Sequence, residues 1–260
     1  MKKEYIASSL IVLVLAMGVG FWYSSRAGEG ESIVNETLSS RLVRERIEPP
    51  SSGVEQTTPP SVKVTTETTG STSKISFTSN SVGYLGCSMT INAVEGYISE
   101  GGKVIWGELG DFGGGTISAW AGLLPTSRMY WMGFDALLKK YPNPNAVWME
   151  LCISIKKGGT ESDTYENALI MRQEVLRRIP NAVVYVSAQP GYTAGHVCGI
   201  AGADGPTKMQ EIADKLVANG LAKKGPVLGP LATGQTADPC HANASGKSTM
   251  GKQMVDFFDR

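Results

Sequence analysis

The sequence has little net charge and few ionisable side chains. In 260 residues, 24 lysines and arginines are balanced by 24 aspartates and glutamates, and charged residues make up only 18% of the chain. A nucleic-acid-binding protein normally carries a basic excess or a basic stripe, so we expect no nucleic-acid partner. The hydrophobic fraction of 42% also argues against a wholly disordered chain.

The sequence also lacks internal repeats, and it has few histidines and cysteines. No repeat of roughly 20–50 residues is visible, which argues against a solenoid. The chain has only two histidines, His196 and His241, and four cysteines. If a histidine acts as a general base in this protein, it is therefore His196 or His241.

A long, nearly uncharged run occurs at the beginning of the chain, from Tyr5 to Tyr23, after Lys2 and Lys3. About 19 residues of helix span roughly 28 Å, close to the hydrocarbon thickness of a bilayer. We expect residues 1–26 to be an uncleaved membrane anchor with its N-terminus in the cytoplasm. The alternative is a cleaved signal segment. Both interpretations place the rest of the chain outside the cytoplasm.

The composition changes twice after this run. Residues 27–73 are rich in Ser, Thr, Pro and Glu, with little apolar surface to bury, and they are predicted to form a disordered, exposed stalk. Residues 74–260 have the composition of a globular domain and are numerous enough for a substantial core.

Short β-rich segments alternate with helical patterns in this domain. Such alternation predicts βαβ units and a parallel sheet, with the working site at the carboxyl ends of the strands. The predicted strands are 82–87, 103–106, 146–152, 183–187 and 227–231. The clearest helical patterns cover residues 163–179, 207–218 and the segment after Asn243.

A serine follows the first predicted strand, in Gly86-Cys87-Ser88-Met89-Thr90. A serine at a strand-to-helix turn is exposed at the end of the sheet and close to a helix N-terminus, which favours developing negative charge. Taken alone, the segment is explained more simply if Ser88 is the N-cap of the following helix.

An aspartate and a histidine stand three residues apart before the last predicted helix, in Asp238-Pro239-Cys240-His241. The aspartate can hold one imidazole nitrogen and leave the other free as a base. Taken alone, the motif also fits a turn beside a surface histidine. Together with Ser88, in one α/β domain, it favours a serine hydrolase.

These segments resemble the SGNH, or GDSL-like, hydrolase family. Its members have a serine block after strand one, a glycine block after strand two, a Gly-x-Asn-Asp block after strand three and a terminal Asp-x-x-His block. The segment Gly113-Gly114-Gly115-Thr116 corresponds to the glycine block, whereas Cys87 stands where the eponymous motif has Asp. The resemblance implies a three-layer α/β/α fold with a parallel, flavodoxin-like sheet of five strands, and no cofactor or metal.

The resemblance also implies roles for individual residues. Ser88 would be the nucleophile, His241 the base and Asp238 its orienting partner. The oxyanion donors would be the backbone N–H groups of Ser88 and Gly114, together with Ser154. Ser154 occupies the position of the family's third-block asparagine, in Cys152-Ile153-Ser154-Ile155.

The expected function is that of an extracytoplasmic serine esterase. Its substrates would be short-chain or acetyl esters of glycans or small molecules, since no large apolar loop is evident near the site. Losing one oxyanion donor costs about 10²–10³ in turnover. The replacement by Ser154 therefore leaves a second interpretation, a weak or inactive relative that binds carbohydrate. Four aromatic residues are predicted mainly as core rather than as a sugar platform: Trp120, Tyr130, Trp131 and Trp148.

An even number of cysteines outside the cytoplasm indicates disulfides. Strands one and three are neighbours in the SGNH sheet, so the resemblance implies a Cys87–Cys152 bond. Cys198 and Cys240 fall in loops on the side of the site and form the second predicted pair. The alternatives are buried free thiols or a zinc site that uses Cys198, Cys240 and the two histidines.

Overall fold

The computed structural model describes residues 77–157 and 159–260. The predicted anchor (1–26) and stalk (27–73) lie outside the described residues. Among the residues that are described, no helix combines the length and apolarity needed to cross a membrane.

Four parallel strands form one sheet in the described part of the chain, in the order β1-β2-β3-β4. The strands are β1 (Val82–Leu85), β2 (Ala146–Leu151), β3 (Val183–Ala188) and β4 (Lys223–Lys224). β1 and β2 are buried along their whole length, as expected for parallel strands that are covered on both faces. The predicted α/β class is confirmed.

The helices alternate with these strands. They are α1 (Ser88–Ser99), α2 (Ile117–Trp120), α3 (Ser127–Lys140), α4 (Gly159–Ser162), α5 (Tyr165–Arg178), α6 (Gly205–Ala218) and α7 (Ala244–Phe258). The predicted helices in 163–179, in 207–218 and after Asn243 correspond to α5, α6 and α7. α5 contacts β2, while α6 contacts β3 and β4.

Two of the five predicted strands differ from the structure. The segment 103–106 makes a single parallel bridge, between Ile105 and Val82, at the free edge of β1. The segment 227–231 is not a strand, and the sheet is completed by β4, just before it. Pro226 and Pro230 have no N–H group to donate to a ladder, so this segment makes only an isolated parallel bridge, between Leu231 and Tyr192.

α1 and α7 pack through two glycines that allow their backbones to approach closely. A Cβ atom on Gly96 would lie 1.9 Å from the carbonyl oxygen of Lys247, and one on Gly251 would lie 2.3 Å from the carbonyl carbon of Gly96. Any residue larger than glycine at position 96 or 251 would therefore clash with the backbone of the facing helix. The same two helices begin close to the predicted site residues, since Ser88 is the first residue of α1 and His241 lies three residues before α7.

The aromatic residues belong mainly to the core. Trp120 and Trp148 are at most 1% exposed, and Tyr130 and Trp131 are also buried. Trp148 and Tyr185, which pair across β2 and β3, both contact Phe258 of α7. These rings stabilise the fold and are not available as an exposed sugar-stacking platform.

Candidate functional site

Ser88 is the first residue of α1 and lies directly beyond the carboxyl end of β1. The turn before it is tightly packed, because a Cβ on Gly86 would lie 2.0 Å from Thr90 Oγ1. The indole N–H of Trp120 donates to the Gly86 carbonyl at 2.9 Å, and the N–H of Cys87 donates to Thr90 Oγ1 at 2.8 Å. These contacts fix the position of the half-buried Ser88.

Ser88, His241 and Asp238 form a continuous chain of hydrogen bonds. Ser88 Oγ lies 2.9 Å from His241 Nε2, and His241 Nδ1 lies 2.7 Å from Asp238 Oδ2. A carboxylate only accepts hydrogen bonds, so we assign the imidazole proton to Nδ1. Nε2 then accepts from the Ser88 hydroxyl, which is the arrangement that a histidine base requires.

Asp238 is held in its ionised form by its own loop. The backbone N–H groups of His241 and Cys240 each donate to Asp238 Oδ1 at 2.7 Å. These two bonds and the one to the His241 ring lower the pKa of Asp238 to about 2. The carboxylate is therefore negative at neutral pH. The 50% exposure of its side chain to water also favours the charged form.

Both predicted disulfides are present. Cys87–Cys152 joins the turn before Ser88 to the end of β2, and Cys198–Cys240 joins a distant loop to the residue before His241. The free-thiol alternative is therefore wrong. The zinc alternative loses its two thiolate donors, because a disulfide sulfur is not a thiolate ligand.

A second pair of side chains supports the loop that carries Asp238 and His241. The hydroxyl of Tyr192 donates to the Cys240 carbonyl at 2.8 Å, and His196 Nε2 lies 2.8 Å from the Pro239 carbonyl. The two rings stack with centroids 4.8 Å apart. Sequence reasoning considered His196 only as a base or a metal ligand, and no local pattern indicated this supporting contact.

The predicted site residues meet at one cavity of about 430 Å³. Ser88, Gly114, Ser154 and His241 all line it, and Asp238 lies behind His241. The other lining residues are Cys87, Met89, Gly113, Thr116, Cys152, Ile153, Lys156, Gln189, Tyr192, Cys198, Ile200, Ala201 and Cys240.

Ser154 is held by a buried carboxylate that sequence reasoning did not identify. Asp163, only 2% exposed, accepts from the backbone N–H groups of Ser118 at 2.7 Å and Ser154 at 3.3 Å. Burial raises the pKa of Asp163, and these hydrogen bonds oppose the rise. Because the backbone N–H of Ser154 is engaged in this way, any oxyanion contact from this residue falls to its hydroxyl.

Glu150 is a fully buried acid beside the turn that precedes Ser88. Its Oε2 accepts from Thr90 Oγ1 at 2.6 Å, whereas its Oε1 has no hydrogen-bond partner. Burial raises the pKa of Glu150 to about 8, so the neutral acid predominates at pH 7. The only sequence signal was a single glutamate within the otherwise apolar strand β2.

Metal-binding potential in the described residues is limited to one cluster of His, Cys, Asp or Glu side chains. It consists of Glu150 and the two half-cystines Cys87 and Cys152. Since both sulfurs are bonded to each other, the cluster offers only one carboxyl group.

Comparison with known proteins identifies no relative of this chain: no protein-family profile, no curated protein and no solved structure matches it. The resemblance to SGNH hydrolases therefore depends on the sequence segments quoted above, and the site has to be interpreted from its own geometry.

Proposed function

We propose that this protein is a serine ester hydrolase that works by an acyl-enzyme mechanism. The observation that carries the proposal is the hydrogen-bonded series from Ser88 through His241 to Asp238, in a cavity beside the carboxyl ends of parallel strands. Nucleophile, base and orienting carboxylate are the three parts that such catalysis needs, and they are recognised by geometry rather than by position in the chain.

In the first half of the reaction, Ser88 Oγ attacks the ester carbonyl while His241 Nε2 takes the hydroxyl proton. Asp238 stabilises the imidazolium, which then gives the proton to the departing alcohol as its C–O bond breaks. In the second half, water attacks the acyl-enzyme, His241 takes a proton from it, and the acid leaves as Ser88 recovers its hydrogen.

The developing oxyanion needs hydrogen-bond donors in the same cavity. Ser88 is the first residue of α1, so no carbonyl within the helix can accept from its N–H, which lies at the positive end of the helix dipole. Gly114 and the Ser154 hydroxyl line the same cavity and are the other proposed donors.

The finer fold assignment is part of this proposal. If the bridge at Ile105 is counted as a fifth strand beside β1, the strand order becomes 2-1-3-4-5, as in flavodoxin-like sheets. The disulfides support an extracytoplasmic location, and we propose residues 1–26 as the membrane anchor.

Covalent labelling tests the proposal directly. A fluorophosphonate probe should label the folded domain at Ser88, and aryl esters should be hydrolysed; both activities should disappear in Ser88→Ala. Ser99→Ala, at the end of the same helix, is the matched control and should be labelled normally. Folded protein that neither reacts with the probe nor hydrolyses any aryl ester would refute the proposal.

The second candidate is a weakly active or inactive carbohydrate-binding relative, and it depends on Ser154 in the third block. A Ser154→Asn variant separates the two candidates, since an amide is a longer and better-fixed donor than a hydroxyl. The hydrolase proposal expects an increase in kcat of up to about 10²-fold. An unlabelled protein that binds oligosaccharides in calorimetry would favour the second candidate.

A further inference from the structure

The cavity beside Ser88 is much larger than an acetyl group. Its volume of about 430 Å³ falls in the range of roughly 300–1,000 Å³ that is typical of sites for drug-sized ligands. A water molecule occupies about 30 Å³ in the liquid, and an acetyl group has only three heavy atoms. An acetyl ester would therefore leave most of the cavity unfilled.

The cavity walls are predominantly apolar. Met89, Ile153 and Ala201 contribute buried side chains, and Ile200 lies near the opening at 37% exposure. Both disulfides also line the cavity and add polarisable sulfur without strong donors. Such a surface stabilises hydrocarbon more than it stabilises sugar hydroxyls.

Several polar side chains in the wall are already engaged within the protein. Gln189 Oε1 accepts from the backbone N–H of Ile153 at 2.9 Å, and the Tyr192 hydroxyl donates to the Cys240 carbonyl. Thr116 Oγ1 is 3.0 Å from Ser118 Oγ. Because these three side-chain oxygen atoms already have partners, they are poorly placed to replace the water around a glycan.

We infer that the substrate carries an apolar acyl group longer than acetyl, which occupies this cavity while it is bonded to Ser88 Oγ. The inference rests on the proposed ester hydrolysis and specifies its substrate class. It differs from the short-chain expectation, which assumed that an apolar surface would require one large loop. Here the surface is assembled from separate segments, around residues 87–89, 152–153 and 198–201.

An aryl-ester series from acetate to decanoate tests this inference in the intact protein. Each added methylene that enters an apolar wall should raise kcat/KM roughly two- to fourfold until the cavity is full. A parallel series with a fixed acetyl group and alcohols of increasing length should show a weaker dependence. A steeper dependence on the alcohol, or a preference for acetate, would overturn the inference.

Ile200→Asn tests the same wall by mutation, with Val197→Asn as the matched control. Both residues are partly exposed in one loop, but only Ile200 lines the cavity. We expect Ile200→Asn to lower the octanoate-to-acetate ratio of kcat/KM about fivefold, whereas Val197→Asn should leave the ratio unchanged. If the octanoate-to-acetate ratio of kcat/KM is the same in the two variants, the inference is contradicted.

The failure of this inference is distinguishable from failure of the proposed function. If a fluorophosphonate labels Ser88 but the acyl series shows no chain-length dependence, only the substrate class is wrong. If Ser88 is not labelled and no ester in either series is hydrolysed, the hydrolase proposal fails and the substrate class fails with it.

Discussion

The two halves of the candidate site are built in different ways. The half with the proposed nucleophile consists of the turn from Gly86 to Ser88, which is packed between β1, β2 and the buried indole of Trp120. The base half is the loop with Asp238 and His241, whose side chains are 50% and 32% exposed. The same site thus combines a residue placed by the core with a pair placed at the surface.

The exposed half is held by contacts from other parts of the chain. Tyr192, His196 and the Cys198–Cys240 disulfide reach it from one loop. Asn92 of α1 reaches it from the other side, since its Oδ1 accepts from the N–H of Ala242 at 3.0 Å. Changes in the buried half should therefore act first on folding, whereas changes in the exposed half should act first on catalysis.

The largest effect is expected from Asp238→Asn, a change in the exposed half. It replaces one carboxylate oxygen with an NH₂ group of similar size and removes the negative charge. An amide cannot hold the imidazole in the same tautomer, and kcat/KM for an aryl ester should fall by about 10⁴. Asp256→Asn, an exposed aspartate of α7, should have no effect. A loss below tenfold for Asp238→Asn would show that the contact to His241 is dispensable.

Removing each disulfide as a Cys→Ala pair compares the two halves directly. The bonds close sequence separations of 65 and 42 residues, so each loss should cost about 4 kcal/mol of unfolding free energy. Guanidinium denaturation should therefore give similar losses. For the fraction that stays folded, loss of Cys198–Cys240 should lower kcat/KM about tenfold more, because misplacement of a catalytic group is costly. Equal activity losses would contradict the comparison.

Glu150→Gln tests the buried half through the pH dependence of the free energy of unfolding. The pKa of about 8 in the folded state lies above the ordinary value of 4.5, so the folded protein keeps a proton that the unfolded chain releases. Stability should therefore fall between about pH 4.5 and pH 8. Glu150→Gln should remove this fall, with a gain on the order of a few kcal/mol at pH 8 and little change at pH 4. Glu211→Gln, an exposed control, should show the unmodified pH dependence in urea titrations.

The smallest effect is expected from His196→Ala. It removes one hydrogen bond to the Pro239 carbonyl and the stacking on Tyr192, worth about 1 kcal/mol. We expect kcat to fall roughly fivefold and the unfolding free energy to fall by about 1 kcal/mol, with KM nearly unchanged. His196→Gln, which retains a donor at a similar distance, should recover part of kcat. A change confined to stability would show that His196 is not a positioning residue.

Some errors of the sequence-based predictions have a clear physical origin. The segment 227–231 has the β propensity of a strand, but Pro226 and Pro230 prevent a regular ladder, and the short β4 forms earlier. Glu150 and Asp163 were not identified because the burial of an acid depends on which other segments cover it. The only local signal was the place of Glu150 in an otherwise apolar strand. The structure describes neither residues 1–26 nor residues 27–73, so the anchor and the stalk remain predictions.

Sequence patterns were sufficient to predict the features that depend on neighbouring residues along the chain. These features are the alternation of strands and helices, the three-residue spacing of Asp238 and His241, and the place of Ser88 at the beginning of α1. They are local patterns with local physical causes. By contrast, the distance of 2.9 Å between Ser88 Oγ and His241 Nε2, 153 positions apart in the chain, results from the tertiary fold. The close packing of α1 on α7 through Gly96 and Gly251 creates that proximity, and folding of the distant loops creates the apolar cavity. Contacts of this kind depend on the packing of the whole domain, which no local pattern encodes.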